Sequence, residues 1–225
     1  MINEIFSMRI CGFLFLFMII SSFASEAFGN RRYLSDLDSD AKLQKINDDP
    51  TKFKISIVLA LIHHFSLIAI GVMLFIVFSP HNLMLGVIGT IFRIGESLIL
   101  FYHEINYWRL LSIATQYSVT SGAEKNALID LALTILQTKN SGFTYGQILF
   151  SIGTLAYSIL FVTYGVVPSI IGKLGVVANI LYGFGNVIIL VKPSFVVLGY
   201  LGGMLIMLFE IGLGGWLLFS SHTTR

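Results

Sequence analysis

Apolar residues fill six long segments of the chain, and polar or turn-forming residues separate them. A helix needs about 20 apolar residues to cross the hydrocarbon core of a membrane. Prolines at 80, 168 and 193 mark three of the joints, because proline cannot donate a backbone hydrogen bond inside a helix. The pattern predicts an all-α, polytopic membrane bundle that forms a single domain over residues 1–225, with six transmembrane helices at about 10–28, 55–79, 83–108, 143–163, 167–190 and 194–219.

Two connections are longer and more polar than the rest. Residues 29–54 mix acidic and basic side chains, which predicts a polar loop. Residues 109–142 contain Ser121 and Glu124 at the spacing of a capping box, in which each side chain satisfies a backbone N–H at the start of a helix. The apolar run that follows is too short to span, so we predict a short interfacial helix over about 121–138.

The first segment has two interpretations. Arg9 precedes the apolar run "ICGFLFLFMII" and the small residues "SSFA", which is the order found in a secretory signal peptide. Cleavage would then follow Ala24. The same residues are also long enough for a retained first span. The sequence leaves open whether residues 1–24 are retained or cleaved.

Composition narrows the class of protein. Of the 225 residues, 56% are hydrophobic and only 12% are charged, against about 25% charged in an ordinary soluble domain. The chain therefore belongs in a membrane, with membrane lipids as its first partners. A net charge of +2 without a long basic run argues against a nucleic-acid partner. The single cysteine, Cys11, excludes an internal disulfide.

Charged residues interrupt the third predicted span, in the stretch "FRIGESLILFYHEINYW" at 92–108. At 100° per residue, Arg93, Glu96, His103 and Glu104 fall within an arc of roughly 100° of one helix. A lone ion at the bilayer centre costs about 2.5–3.5 kcal/mol, so these groups should face protein or water. Arg93 and Glu96 are three residues apart and should pair along one face. The pair could serve only as an internal clamp.

Polar side chains on the other spans extend this cluster. Glu210 in the sixth span needs a cation such as Arg93, or else it must keep its proton. An antiparallel pairing of the second and third spans brings His63 level with about residue 99. The sequence predicts an intramembrane polar cluster of Arg93, Glu96, His103, Glu104, His63, His64, Glu210, Asn186 and Gln147. A polar cavity between apolar walls suits a lipid or small amphiphile better than a sugar or nucleotide.

Imidazole and carboxylate together are a possible ligand set for zinc, and two facing histidines can hold haem. The candidate metal ligands are His63, His64, His103 and Glu96. The chain has no HExxH motif, nucleophile elbow or phosphate-binding loop. We therefore assign no catalytic residue and predict no cofactor, whether metal or haem.

Four stretches carry a resemblance to a known family: "RICGFLFLFMII", "FRIGES", "YGVVPSIIGKLGVV" and "EIGLGGWLLF". Together they resemble the uncharacterised polytopic membrane proteins grouped as domain of unknown function 4386. The resemblance implies a helical bundle with both termini cytoplasmic, and it implies no activity. The turns "SPHN" and "TYGVVPS" lack the basic residues that the family tends to carry there.

Three hypotheses for function follow. The first is a membrane component that binds a lipid or small amphiphile, or that supports another membrane protein. The second is an intramembrane metal-dependent hydrolase. The third is a small proton-coupled transporter, based on a parallel repeat between "LGVIGTIFRIGESLIL" and "LGVVANILYGFGNVIIL".

Six spans put both termini on one side of a cell membrane. The basic residues concentrate in the connections on the opposite side, which the positive-inside rule places in the cytoplasm. This disagrees with the orientation that the resemblance implies.

Overall fold

The computed structural model describes residues 2–28 and 38–220, and within these ranges the chain is helical with short turns and no β-strand. The helices in the described ranges are α1 Ile2–Ala27, α2 Ser39–Asp48, α3 Pro50–Phe78, α4 Leu83–Tyr107, α5 Leu110–Val119, α6 Ala123–Tyr164, α7 Ser169–Val191 and α8 Val196–Phe219, with a 3-10 turn at Pro193–Phe195.

Six helical segments are long and apolar enough to cross a membrane, and each overlaps one of the predicted spans. These segments are Glu4–Ala27, Pro50–Phe78, Leu83–Val119, Ala123–Tyr164, Ser169–Val191 and Pro193–Phe219. Large apolar side chains stand exposed along them, among them Phe13, Phe65, Ile91, Ile159, Phe184 and Met204. Such extensive exposed apolar surface is typical of a lipid-facing protein. The predicted all-α membrane fold is therefore confirmed.

The predicted polar loop at 29–54 is wrong over most of its described part. Helix α2 lies inside it, and α3 already begins at Pro50. The side chain of Asp38 accepts a hydrogen bond from the backbone N–H of Ala41 at 2.7 Å and so caps α2. Proline suits the first turn of a helix because its missing N–H would have no partner there. Residues 29–37 lie outside the described residues.

The predicted interfacial helix at 121–138 is also corrected, because it and the span at 143–163 are one continuous helix, α6, of 42 residues. Gly142 does not end the helix, since a glycine inside a helix costs only about 1 kcal/mol. At 1.5 Å per residue α6 is roughly 63 Å long, about twice the thickness of the hydrocarbon core. A further helix, α5, occupies part of the connection where only the interfacial helix was predicted.

The chain divides into two compact units. Unit 1 comprises residues 1–18, 65–99 and 144–225, and unit 2 comprises residues 19–64 and 100–143. The prediction of one domain over residues 1–225 stays a prediction.

Unit 1 packs its helices through glycines. A Cβ placed on Gly153 of α6 would lie 2.8 Å from the carbonyl oxygen of Gly89 and 3.1 Å from the backbone nitrogen of Arg93, both on α4. A Cβ on Gly12 of α1 would lie 2.6 Å from the carbonyl oxygen of Gly214 on α8. Small residues let backbones approach this closely inside a membrane. The α4–α6 contact brings the backbone of α6 directly against that of Arg93.

Unit 2 has a hydrophobic core of its own, to which each of its helices from α2 to α6 contributes. The core residues are Leu43, Ile46, Phe53, Ile57, Tyr107, Leu110, Ile113, Ala114, Tyr117, Ala132 and Ile135. The first part of α6 belongs to this core, which explains why it does not form a separate interfacial helix.

Candidate functional site

Arg93 and Glu96 form the predicted ion pair within unit 1. One terminal nitrogen of Arg93, Nη1, donates to Glu96 Oε2 at 2.9 Å. Both residues are buried, with 1% and 2% of their surfaces exposed. The guanidinium carbon lies 4.6 Å from the ring centroid of Phe150, a cation–π distance. Arg93 and Glu96 therefore pair along α4, and the guanidinium of Arg93 packs on the ring of Phe150.

The pair leaves much of the guanidinium unused. Arg93 Nε and Nη2 are buried, and neither has a hydrogen-bond partner among the described residues. An unpartnered buried donor costs about 1–3 kcal/mol, and more when it is charged. Buried donors without a partner are few in native proteins, and each one needs a physical explanation.

Glu210 of α8 belongs to the same group in unit 1. It is buried, and the charge of Arg93 acts on both Glu96 and Glu210. In the described part of the chain, only Glu96 makes a direct ion pair with Arg93. We call Arg93, Glu96, Glu210 and Phe150 the Arg93 cluster.

Gln147 and Asn186 meet at Tyr182, also within unit 1. The hydroxyl of Tyr182 donates to Gln147 Oε1 at 2.8 Å, and Asn186 Nδ2 donates to the carbonyl oxygen of Tyr182 at 2.9 Å. Both predicted residues therefore have protein partners. Asn179, one turn earlier, donates from Nδ2 to the Gly175 carbonyl at 2.7 Å, while its Oδ1 is buried without a partner among the described residues. The predicted cluster left Asn179 out, although it follows the same helical spacing.

Unit 2 contains the remaining predicted residues, arranged around Glu104. Its Oε2 lies 2.9 Å from Lys139 Nζ and 3.9 Å from His64 Nε2. The Lys139 ammonium also lies 3.4 Å from the ring centroid of Tyr107. The sequence prediction missed Lys139 because it assigned this residue to a loop beyond the short helix. Only the continuous α6 brings it to Glu104.

His63 and His103 are half-buried in unit 2. The His63 ring meets the His64 ring edge to face, with centroids 5.3 Å apart. The His103 ring packs directly on Gly142 of α6, where it would collide with any added Cβ. Gly142 therefore has a steric role in this contact.

Residues 10–220 match the family described as domain of unknown function DUF4386. The chain belongs to this family. No curated protein and no solved structure gives a significant match to this DUF4386 protein. Arg93, Glu96, Glu210 and Glu104 all lie in the matched region.

The DUF4386 chain does not assemble the candidate metal ligands into a centre. Across residues 2–28 and 38–220, no three His, Cys, Asp or Glu side chains gather closely enough to hold a metal ion. His63, His64 and His103 lie in unit 2, while Glu96 lies in unit 1. The geometry therefore offers the metal-dependent hydrolase hypothesis no support. The chemistry that the Arg93 cluster offers is hydrogen-bond donation from a buried cation, the guanidinium of Arg93.

Proposed function

We propose that this protein is a multi-pass membrane protein that binds a lipid or another small amphiphile at the Arg93 cluster. One observation carries the proposal: Arg93 is 1% exposed, and two of its nitrogens have no partner among the described residues. A folded membrane protein rarely keeps charged donors buried and unused, because hydrocarbon offers them nothing.

An amphiphile fits this arrangement physically. Its polar head can accept hydrogen bonds from Arg93, while its chain lies against apolar side chains. Phe150, Ala178, Tyr182 and Ile206 form a mostly apolar cluster that includes the ring beneath the guanidinium. Apolar walls with a few well-placed polar groups are typical of small-molecule sites.

Exchange of Arg93 for lysine tests the proposal. Arg93→Lys keeps a positive charge for Glu96 but removes the donor geometry of Nε and Nη2. Lys139→Arg is the matched control, because it makes the reverse exchange at the buried pair of unit 2. Native mass spectrometry of protein purified in mild detergent should show a retained lipid on the wild type and on Lys139→Arg.

We expect Arg93→Lys to lose that lipid while remaining folded by size-exclusion chromatography. Equal lipid retention by the two variants would contradict the proposal, and so would a wild-type protein that retains none.

Proton-coupled transport is a second candidate, favoured by the two buried carboxyl groups of unit 1, Glu96 and Glu210. Carboxyl groups inside a membrane can carry protons along a transport path. In this case, proteoliposomes should show proton flux that Glu210→Gln abolishes. A lipid-retaining protein without such flux rules this candidate out.

We also infer that both termini lie on the same side of a cell membrane, because six segments are long and apolar enough to cross it. The basic residues of the connections at 29–54 and 109–142 favour a cytoplasmic location for these connections. Reporter fusions at each terminus, one active only in the cytoplasm and one only outside, decide between the two orientations. An accessory role beside another membrane protein would appear as a co-purifying subunit.

A further inference from the structure

We propose that the first segment, α1, stays in the protein as a permanent span and is not removed as a secretory signal by cleavage after Ala24. The sequence leaves both interpretations open, because Ser22 and Ala24 are the small residues that such a cleavage needs. The inference is independent of ligand binding at the Arg93 cluster. Three observations lead to it: the contact of α1 with α8, the buried face of α1, and the structure around the Ala24–Ser25 bond.

Helix α1 packs on α8 with backbone against backbone, within unit 1. A Cβ on Gly12 would lie 2.6 Å from the carbonyl oxygen of Gly214 and 2.9 Å from the Cα of Leu218. The contact is reciprocal, because a Cβ on Gly214 would lie 2.8 Å from the Cβ of Phe15. Small residues on both helices allow this close approach inside a membrane. A signal that leaves the protein needs no such fit to α8.

One face of α1 is buried in unit 1. Met8, Cys11, Phe15 and Met18 are each at most 4% exposed, and their spacing of three or four residues places them on one side of the helix. Phe13, between them in sequence, is 57% exposed. A signal peptide needs only an apolar run, whereas a buried face and an exposed apolar face are expected of a span that contacts protein on one side and lipid on the other.

The peptide bond after Ala24 lies inside α1, which is helical over Ile2–Ala27. The carbonyl oxygen of Ala24 accepts a hydrogen bond from the N–H of Phe28 at 3.0 Å. On the other side of the bond, Ser25 is buried, and its Oγ donates to the carbonyl oxygen of Ser56 in α3 at 2.8 Å, within unit 2. Proteolysis concentrates where the backbone is exposed and poorly ordered. Cleavage here would also create a charged amino group on the buried Ser25, which is costly.

The family match agrees with retention. It begins at residue 10 and therefore includes the whole apolar run "ICGFLFLFMII". A secretory signal is a targeting segment and is not part of the folded domain. Retention also keeps the number of candidate spans at six, on which the inference that both termini share one side of the membrane depends.

Intact mass spectrometry of the full chain, carrying a carboxy-terminal tag and purified from membranes, tests the proposal. We expect the wild type to contain residues 1–24, apart from any removal of Met1. Ala24→Leu should have the same length, because a small residue at position 24 then has no role in processing. A wild-type protein that begins at Ser25, or that is shorter than Ala24→Leu, would overturn the proposal. The mass of the wild type decides this without requiring any variant to fold.

Two substitutions test the packing of α1 on α8. Gly12→Leu places a side chain against the Gly214 carbonyl oxygen, so we expect the melting temperature in detergent to fall by about 5 °C or more, or no folded protein to be recovered. Phe13→Leu, at the neighbouring exposed position, is the matched control and should change it by no more than about 2 °C. If α1 were removed as a signal, Gly12→Leu would not alter the mature protein. Equal melting temperatures for Gly12→Leu and the wild type would therefore contradict retention.

Discussion

Unit 1 and unit 2 each contain a buried pair of opposite charges whose nitrogen and oxygen lie 2.9 Å apart, Arg93–Glu96 and Lys139–Glu104. In unit 2 the carboxylate has a second neighbour, His64 Nε2 at 3.9 Å, and the ammonium lies over the Tyr107 ring. In unit 1 two nitrogens of the cation, Arg93 Nε and Nη2, are buried without a hydrogen-bond partner among the described residues.

The two ion pairs have different structural roles. Lys139 and Glu104 lie on different helices, α6 and α4, so their pairing fixes one helix against another. Arg93 and Glu96 lie three residues apart on α4, so their pairing fixes no helix contact. A buried ion pair alone is weak evidence of function, because its desolvation offsets much of its attraction. The unused donors of Arg93 are the feature that points to a ligand.

Removal of the cation in unit 1 should have the largest effect. Arg93→Met leaves Glu96 and Glu210 buried without a positive charge, which should cost about 3–5 kcal/mol. The readout is the fraction of folded protein during thermal denaturation in detergent. Arg93→Met combined with Glu96→Gln should recover much of the loss. A double variant no more stable than the single one would show that the pair contributes nothing to the fold.

Removal of the cation in unit 2 should cost less, about 1–3 kcal/mol. Lys139→Met leaves Glu104 with a remaining basic neighbour, His64 Nε2 at 3.9 Å, and the Lys139 side chain is 12% exposed against 1% for Arg93. The same denaturation assay applies, with Lys139→Met plus Glu104→Gln as the compensated partner. A larger loss for Lys139→Met than for Arg93→Met would reverse the comparison.

Added methyl groups test how rigid each unit is beside its charges. Gly153→Ala in unit 1 places a Cβ 2.8 Å from the Gly89 carbonyl oxygen, and backbone cannot rotate away, so we expect a loss of about 1–3 kcal/mol. Gly142→Ala in unit 2 meets the half-buried His103 ring, which can turn aside at a smaller cost.

Gly212→Ala is the matched control, because nothing lies within 4 Å of its added Cβ. Alanine is the better helix former by about 1 kcal/mol, so this variant should be neutral or stabilised. Equal melting temperatures for Gly153→Ala and Gly212→Ala would contradict the close α4–α6 contact.

Local pattern in the sequence predicts the six spans and the Arg93–Glu96 pair, because both depend on spacing along a single helix. The same holds for the buried face of α7, where Gly172, Gly175, Asn179, Tyr182 and Asn186 are all buried as their helical spacing predicts. Helical periodicity carries this information without knowledge of the neighbouring helices.

The sequence did not predict features that depend on how helices continue or cross. Charged residues at 139 and earlier lower the local hydropathy of α6, so a continuous helix looks like two elements. The pairing of Lys139 with Glu104 spans 35 positions and needs that continuous helix. In α8 the rotation of the helix buries Gly202, Ile206 and Phe209 beside Glu210. The neighbouring side chains, such as Tyr182 against Gly202, decide that rotation.

We expect the two halves of α6 to differ in their access to water. Glu124, Lys125 and Asp130 lie in the first half, whereas residues 143–164 contain no charged residue. A cysteine at Asn126 or Asn140, both exposed, should therefore react with a membrane-impermeant maleimide. Cysteines at Ile152 and Ile159, which are 40% and 41% exposed, should stay unlabelled because their surroundings are lipid.

The labelling requires a background without the native thiol, and Cys11→Ala supplies it because Cys11 is the one cysteine of the chain. Residues 126 and 140 are separated by roughly 21 Å along a helix, less than the roughly 30 Å hydrocarbon core. Both should therefore label from the same side of sealed vesicles. Labelling from opposite sides would mean that the first half of α6 also crosses the membrane, since no other path separates the two positions. Glu104 and Lys139 would then lie in the hydrocarbon core of the membrane, as Arg93 does. The two units would differ only in the donors of Arg93 that have no partner among the described residues.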